Sequence, residues 1–444
     1  MQGFDEWINR NLRRFPGGGK IAAMQNRLAS FAEQGIQGVA NVAVNILLAR
    51  ALVPDDFAAI GTMLGVHYFV LGMHRTAIVL PFILDASGTD DAVAVEGRWW
   101  WFNLLSLVVI AAILAVIAAA TAQVAGDSPW LVQGIALTVL VSPPLLLFEF
   151  GRRVLYQRRL PATAALASTV YLLLNLGVAA AVLASRGGAT PLLGAMAWVV
   201  AGIGGAATAT WAAPPGRFDV AAGFRLWWAN RSFAFWQAMT NIPYAVYNSS
   251  VVVFVGIFGG AGAAAAFTAA RTLTNPAISM VTAVDSLDKP RAARALASEG
   301  LPGLFRSIGQ TRKLLALITG TYLGALILFA EPLLTLAFGD RYVGQANAVR
   351  GLALVFFLIC MNQPSETLLI VLRASRTLLV TRIIAAVVAI ASLALAQPWG
   401  LIGACVALLA THALNLANLR VAERIAAGRW RTQTGDAASS EDRA

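Results

Sequence analysis

The sequence predicts an all-α polytopic membrane protein, with about twelve transmembrane helices in two six-helix bundles related by a parallel repeat, around a central cavity. Three observations predict it. Apolar runs of more than 20 residues follow one another along the chain. The mean hydropathy is +0.69, with 58% hydrophobic and only 12% charged residues. The basic residues fall on alternate loops. One apolar run of that length crosses a hydrocarbon core of ~30 Å at 1.5 Å rise per residue. Backbone groups inside lipid must be paired within the segment, so the runs are helices.

Spans are expected near 28–50, 57–78, 99–122, 129–150, 162–184, 191–213, 232–257, 262–284, 314–336, 347–369, 377–397 and 401–422. The second has room to extend to Leu84, because Ala77 to Leu84 stays apolar. With the N-terminus in the cytoplasm, the inner segments hold 27 of the 33 Arg and Lys residues. The outer loops hold four, namely Arg50, Arg186, Arg341 and Arg350. Arg75 and Arg271 fall within spans. A wrong helix count would scramble this alternation, so both termini are expected on the cytoplasmic side of the membrane.

The net charge of +11 would suggest nucleic acid in a soluble chain. Here it marks cytoplasmic loops, and no nucleic-acid partner is expected. Cys360 and Cys405 sit in apolar runs and read as small core residues, not as a disulfide framework. Residues 1–27 lack the pattern of a cleavable signal peptide. Phe4, Trp7, Ile8, Leu12 and Phe15 recur there at helical spacing beside Arg10, Arg13 and Arg14, as in a helix lying on an anionic leaflet. The expected organisation is an interfacial amphipathic segment at 1–27, bundles at 28–213 and 232–427, a cytoplasmic linker at 214–231, and a disordered polar tail at 428–444.

An internal repeat supports the two bundles. At an offset of 217 residues, Val132-Gln133-Gly134-Ile135-Ala136-Leu137 falls on Val349-Arg350-Gly351-Leu352-Ala353-Leu354. Glu149 falls on Glu366 and Arg159 on Arg376. Six helices per half is an even number, so the halves share one orientation and form a parallel repeat.

Leu47-Leu48-Ala49-Arg50-Ala51-Leu52-Val53-Pro54-Asp55-Asp56-Phe57 resembles the junction of the first two helices in polysaccharide-unit (Wzx-type) flippases. These belong to the multidrug/oligosaccharidyl-lipid/polysaccharide exporter superfamily. Gly262 to Leu273 is similar to the counterpart in the second half, and Leu333 to Tyr342 to the segment leaving the ninth helix. Phe57, where the family usually has Gly, and Thr268 depart from the pattern. The resemblance covers roughly residues 28–425. It implies flipping of an undecaprenyl-pyrophosphate-linked oligosaccharide for exopolysaccharide, capsule or O-antigen synthesis. The partners it implies are membrane lipid, the lipid-linked glycan, and polysaccharide polymerase and export machinery.

Several constellations could carry such chemistry. Glu33, Gln34, Gln37, Asn41 and Asn45 share one arc of the first span, and Gln237, Asn241, Tyr244 and Asn248 recur on the seventh near Pro243. Amides donate and accept hydrogen bonds, which suits sugar hydroxyls; the competing role is interhelical glue. Arg271 lies about nine residues, ~13 Å, inside the eighth span. It is the first candidate for a pyrophosphate contact, with Arg75 as its aid or as a snorkelling side chain. Glu33, Glu149 and Glu366 are candidates for ion coupling, or else partners of nearby arginines. Arg152, Arg153, Arg158 and Arg159 read as topology and headgroup charges. His67 and His74 share a face, but without a third ligand no metal site is expected. No cofactor is expected. There is no P-loop, and no catalytic domain surrounds Asp90-Asp91. The alternatives are a drug/cation antiporter of the same superfamily, and a membrane enzyme or scaffold of an envelope glycan complex.

Overall fold

The computed structural model describes residues 18–87, 92–158, 160–185, 188–342 and 344–441. The described residues are helical almost throughout. In chain order the helices are α1 (Gly18–Ala51), α2 (Pro54–His74), a π-helical turn (Arg75–Val79), α3 (Leu80–Ser87), α4 (Ala92–Val124), α5 (Pro129–Gln157), α6 (Pro161–Ala184) and α7 (Pro191–Ala212). They continue with α8 (Val220–Ala229), α9 (Arg231–Asn248), α10 (Val251–Thr274), α11 (Pro276–Leu328), α12 (Ala330–Phe338), α13 (Ala346–Val371), α14 (Ser375–Leu395) and α15 (Gly400–Glu441). Residues 1–17, most of the expected interfacial segment, lie outside the described residues, as do Asp90, Asp91 and Arg159.

Local chemistry sets the starts. Pro54, Pro129, Pro161, Pro191 and Pro276 open α2, α5, α6, α7 and α11. At a first helical position proline loses no hydrogen bond, because that N–H has no intrahelical acceptor. Thr190 Oγ1 accepts from Leu193 N–H at 3.3 Å, and Asp219 Oδ1 from Ala222 N–H at 2.8 Å, capping α7 and α8.

Among the described residues, ten stretches are long and apolar enough to cross a membrane, and Gly35–Ala51 is a shorter apolar helix. One stretch, Arg231–Thr274, runs for 44 residues. It is broken at Gly260, whose φ of 80° and ψ of 178° no helix adopts. Dividing it there and adding the apolar part of α1 gives the expected twelve. Large apolar side chains lie exposed along these helices, among them Val108 and Val116 on α4, at 67% and 69% exposure. Apolar surface of that extent requires lipid, and the chain is a multi-pass membrane protein.

Four boundaries differ from the sequence expectation, each for a physical reason. The second span runs through the π turn and α3 as Pro54–Ala86. The expected cytoplasmic connection 285–313 is helical, and its arms meet at Gly300 (φ 65°, ψ −156°). The helix of the ninth span accordingly runs over 301–328 and ends short of the expected 336, and α12 follows separately after Phe329. The tail is helical to Glu441, where disorder was expected. Hydropathy marks where a helix enters lipid. It is blind to a helix that continues, charged, into water.

The chain divides into two compact units. One comprises Met1–Ala245 with Ser249–Gly256, the other Val246–Asn248 with Ile257–Ala444. In the first, α5 packs on α2, α4 and α7, while α6 packs on α1 and α7. In the second, α13 packs on α11 and α15, and α14 packs on α15. The fourth–sixth and fifth–sixth span contacts of one unit thus recur as tenth–twelfth and eleventh–twelfth contacts in the other. Small residues permit the close approaches. A Cβ on Gly134 would lie 2.7 Å from Ala59 O, and one on Gly202 2.9 Å from the Pro144 carbonyl carbon.

Candidate functional site: an arginine-rich cavity in the first unit

α5 carries Glu149, Arg152, Arg153 and Tyr156, spaced i, i+3, i+4 and i+7, so they share one face. That face meets α1, α6 and the π turn. Glu149 Oε1 accepts from Arg75 Nε at 2.9 Å and from Arg153 Nη2 at 2.8 Å. Glu149 Oε2 accepts from Arg152 Nη1 at 2.9 Å. Arg152 also pairs with Glu33 on α1 and donates Nη1 to Gln37 Oε1 at 3.0 Å. Glu33 accepts from Tyr156 Oη and from Ser168 Oγ, each at 2.9 Å. Two carboxylates and three guanidiniums form this network, a formal excess of one positive charge. Glu33 is fully buried and Arg152 is 3% exposed, whereas the Arg75 side chain is 45% exposed.

The network forms one wall of a half-open cavity. Gln37, Asn41, Arg75, Glu149 and Arg152 supply its polar lining. His67, Tyr68, Phe148, Tyr171 and Trp198 supply rings, and Leu64, Leu71 and Leu145 complete it. Phe148 and Tyr171 stack with centroids 5.0 Å apart, and the Arg152 guanidinium carbon lies 5.6 Å from the Phe148 centroid. His67 Nδ1 is 3.0 Å from Ser142 Oγ, and His74 Nε2 is 2.7 Å from Asn103 Oδ1. Each imidazole thus bonds to a neighbour, and no group that could hold a metal ion occurs among the described residues.

The sequence-predicted residues divide. Gln37, Asn41, Arg75, Glu33 and Glu149 come together in or beside this cavity. Asn45 instead donates Nδ2 to Asn41 O at 2.7 Å, within its own helix. Asn241 on α9 fills the space over Gly72 of α2. Gln237, Tyr244 and Asn248 are half-buried along α9. Arg271 is half-buried near the end of α10, in the second unit, and Glu366 pairs there with Arg382 at 2.6 Å. Arg312 bonds Glu423 at 2.9 Å in that unit.

The reading of Arg152, Arg153 and Arg158 as topology charges is corrected by the structure. All three pair with carboxylates, Arg158 with Glu96 at 2.6 Å. A buried guanidinium needs a partner, and the i, i+3 and i, i+4 spacing from Glu149 is the signal that could have exposed Arg152 and Arg153.

No protein-family model and no curated protein matches the chain. Solved structures do. An inward-facing multidrug resistance MATE family transporter of the MOP superfamily is 15% identical, with a TM-score of 0.71, covering 89% of this chain and 98% of that one. A MOP superfamily transporter from Pyrococcus furiosus is 14% identical, with a TM-score of 0.64, covering 91% and 94%. The lipid II flippase MurJ in an inward closed conformation is 11% identical, with a TM-score of 0.64, covering 89% and 86%. The chain therefore has the fold of MOP superfamily transporters.

Proposed function

We propose that this chain is an inner-membrane secondary transporter, with both termini cytoplasmic, that flips a polyprenyl-pyrophosphate-linked oligosaccharide by alternating access. The observation that carries this reading is the arginine excess in the cavity. Arg75 and Arg152 outnumber Glu149 in the lining, and Arg75 is half exposed there. A guanidinium grips phosphate oxygens through paired hydrogen bonds. The remaining lining suits the glycan. Gln37 and Asn41 offer donors and acceptors for hydroxyls, and the rings of Tyr68, Tyr171 and Trp198 offer flat apolar faces to sugar C–H groups. Arg271 is a further phosphate contact in this reading, carried by the second unit.

The second reading is export of an organic cation by antiport. It is favoured by the two buried carboxylates, Glu33 and Glu149, and by the fold shared with a multidrug transporter. Both carboxylates are already engaged by arginines, which disfavours a cationic guest. Proteoliposomes loaded with a fluorescent polyprenyl-pyrophosphate oligosaccharide or with ethidium separate the two. Transbilayer movement of the former alone is expected. Movement of ethidium alone would establish the antiporter.

A further inference from the structure

α8 is a ten-residue helix between the sixth and seventh spans. Its inner face is fastened in four ways. Trp227 Nε1 donates to Ala77 O, within the π turn, at 3.1 Å. Asn230 Nδ2 donates to Asp85 Oδ2 at 3.0 Å, and Trp99 Nε1 donates to the same oxygen at 3.1 Å. Gly223 lies so close to α4 that a Cβ would stand 2.3 Å from Arg98 O. The ring of Trp227 stacks on Phe102 at 5.5 Å. These contacts fix which face of α8 points away from the protein.

That outward face carries Ala221, Phe224, Arg225 and Trp228, spaced i, i+3, i+4 and i+7. Trp228 is 51% exposed, and the guanidinium of Arg231 lies 4.5 Å from its ring centroid. Phe218 and Arg217 extend the surface on the N-terminal side and are also exposed. Large rings interleaved with arginines do not suit bulk water. Tryptophan favours the headgroup level, where its ring is apolar and its edge is wet. Arginine there meets phosphate, and each cation near an anionic leaflet adds to binding. The one acid in the segment, Asp219, is occupied as the cap of α8.

We infer that the outward face of α8 is a docking surface for anionic phospholipid headgroups, with Phe224 and Trp228 entering the interface and Arg217, Arg225 and Arg231 holding phosphates. The partner is a lipid surface, and the surface stands apart from the transport cavity. This inference does not depend on which solute the cavity carries.

The test uses the full chain with Cys360→Ala, Cys405→Ala and Ala221→Cys, labelled at position 221 with an environment-sensitive fluorophore and reconstituted in phosphatidylcholine vesicles containing 30% phosphatidylglycerol. Spin-labelled phosphatidylglycerol and spin-labelled phosphatidylcholine serve as quenchers at equal mole fraction. Quenching is expected from both, at least about threefold stronger from the anionic lipid, and Arg225→Gln with Arg231→Gln should remove that preference. No quenching from either lipid would place the face in water, and equal quenching by both in the parent would reduce the surface to apolar contact. Either result overturns the proposal. A fluorophore at Gly177, reporting the lipid around the spans, controls for correct reconstitution.

Discussion

Arg75 Nε donates to Glu149 Oε1 at 2.9 Å, so a glutamate on α5 holds the arginine that opens the π turn of the second span. The π turn matters to this contact. Leu80 N–H reaches back five residues to Arg75 O, which widens the helix locally and rephases the residues after it. π turns occur disproportionately at functional sites. Here the turn carries the most exposed arginine of the cavity. Glu149 accepts from Arg152 and Arg153 as well, so one buried carboxylate fixes three cations.

Arg152 should be the structural member of this group. It is buried and bridges Glu33 to Glu149. Arg152→Ala leaves Glu33 buried without its cation, a loss of about 3–5 kcal/mol for breaking a buried pair. A lower melting temperature in detergent is expected, recovered in part by adding Glu33→Gln, since residues of one network do not act additively. An unchanged melting temperature for Arg152→Ala would mean that the network contributes little to the fold.

Gly134 should be required for the packing of α5 on α2. A Cβ there would meet Ala59 O at 2.7 Å and Thr62 Cβ at 2.7 Å, and backbone cannot move aside as a side chain can. Gly134→Ala should destabilise by about 1–3 kcal/mol. Gly177, with nothing within 4 Å, is the matched control, and Gly177→Ala should be neutral or slightly stabilising. Thermal unfolding of both variants in the same detergent decides it. Equal melting temperatures would contradict the close packing.

How far the sequence could be read depends on which physics decided each feature. Membrane spans are set by apolar length, a local property, and so α4 to α7 and α13 to α15 are legible. Helix ends beyond the lipid are set by charge and turn chemistry at Gly260 and Gly300, and the hydropathy reading missed the helices of 285–313. In and beside the cavity, Gln37 and Asn41 stood out as polar groups on one arc of a span, and Arg75, Glu33 and Glu149 as charges falling within the expected spans. Arg152 and Tyr156 did not, because near a span end they look like ordinary boundary residues. Asn45 looked like lining because helical periodicity gives an arc of the helix and not the side-chain rotamer. Tyr68, Phe148, Tyr171 and Trp198 were hidden among other aromatics, since only tertiary packing gathers them.

The orientation read from the loop charges is checked by cysteine labelling in a Cys360→Ala, Cys405→Ala background. Single cysteines at Ser128, Gly188 and Gly260 should react with an impermeant maleimide added to intact cells. Those at Arg158, Arg291 and Arg429 should react only after permeabilisation. Labelling of position 291 from outside would reverse the orientation.

The central claim is that the cavity arginines receive a pyrophosphate, and Arg75 is the residue on which it turns. The most direct measurement is the transbilayer movement of a fluorescent polyprenyl-pyrophosphate oligosaccharide in proteoliposomes, followed by the fraction accessible to an impermeant quencher. Lysine keeps the charge of Arg75 but loses its paired geometry, and alanine loses both. At equal amounts of folded protein, the rate should fall from the parent to Arg75→Lys and fall again, by about tenfold or more, in Arg75→Ala, the scale of one lost charge-assisted contact. Arg75→Ala that flips the lipid at the parental rate would contradict the claim.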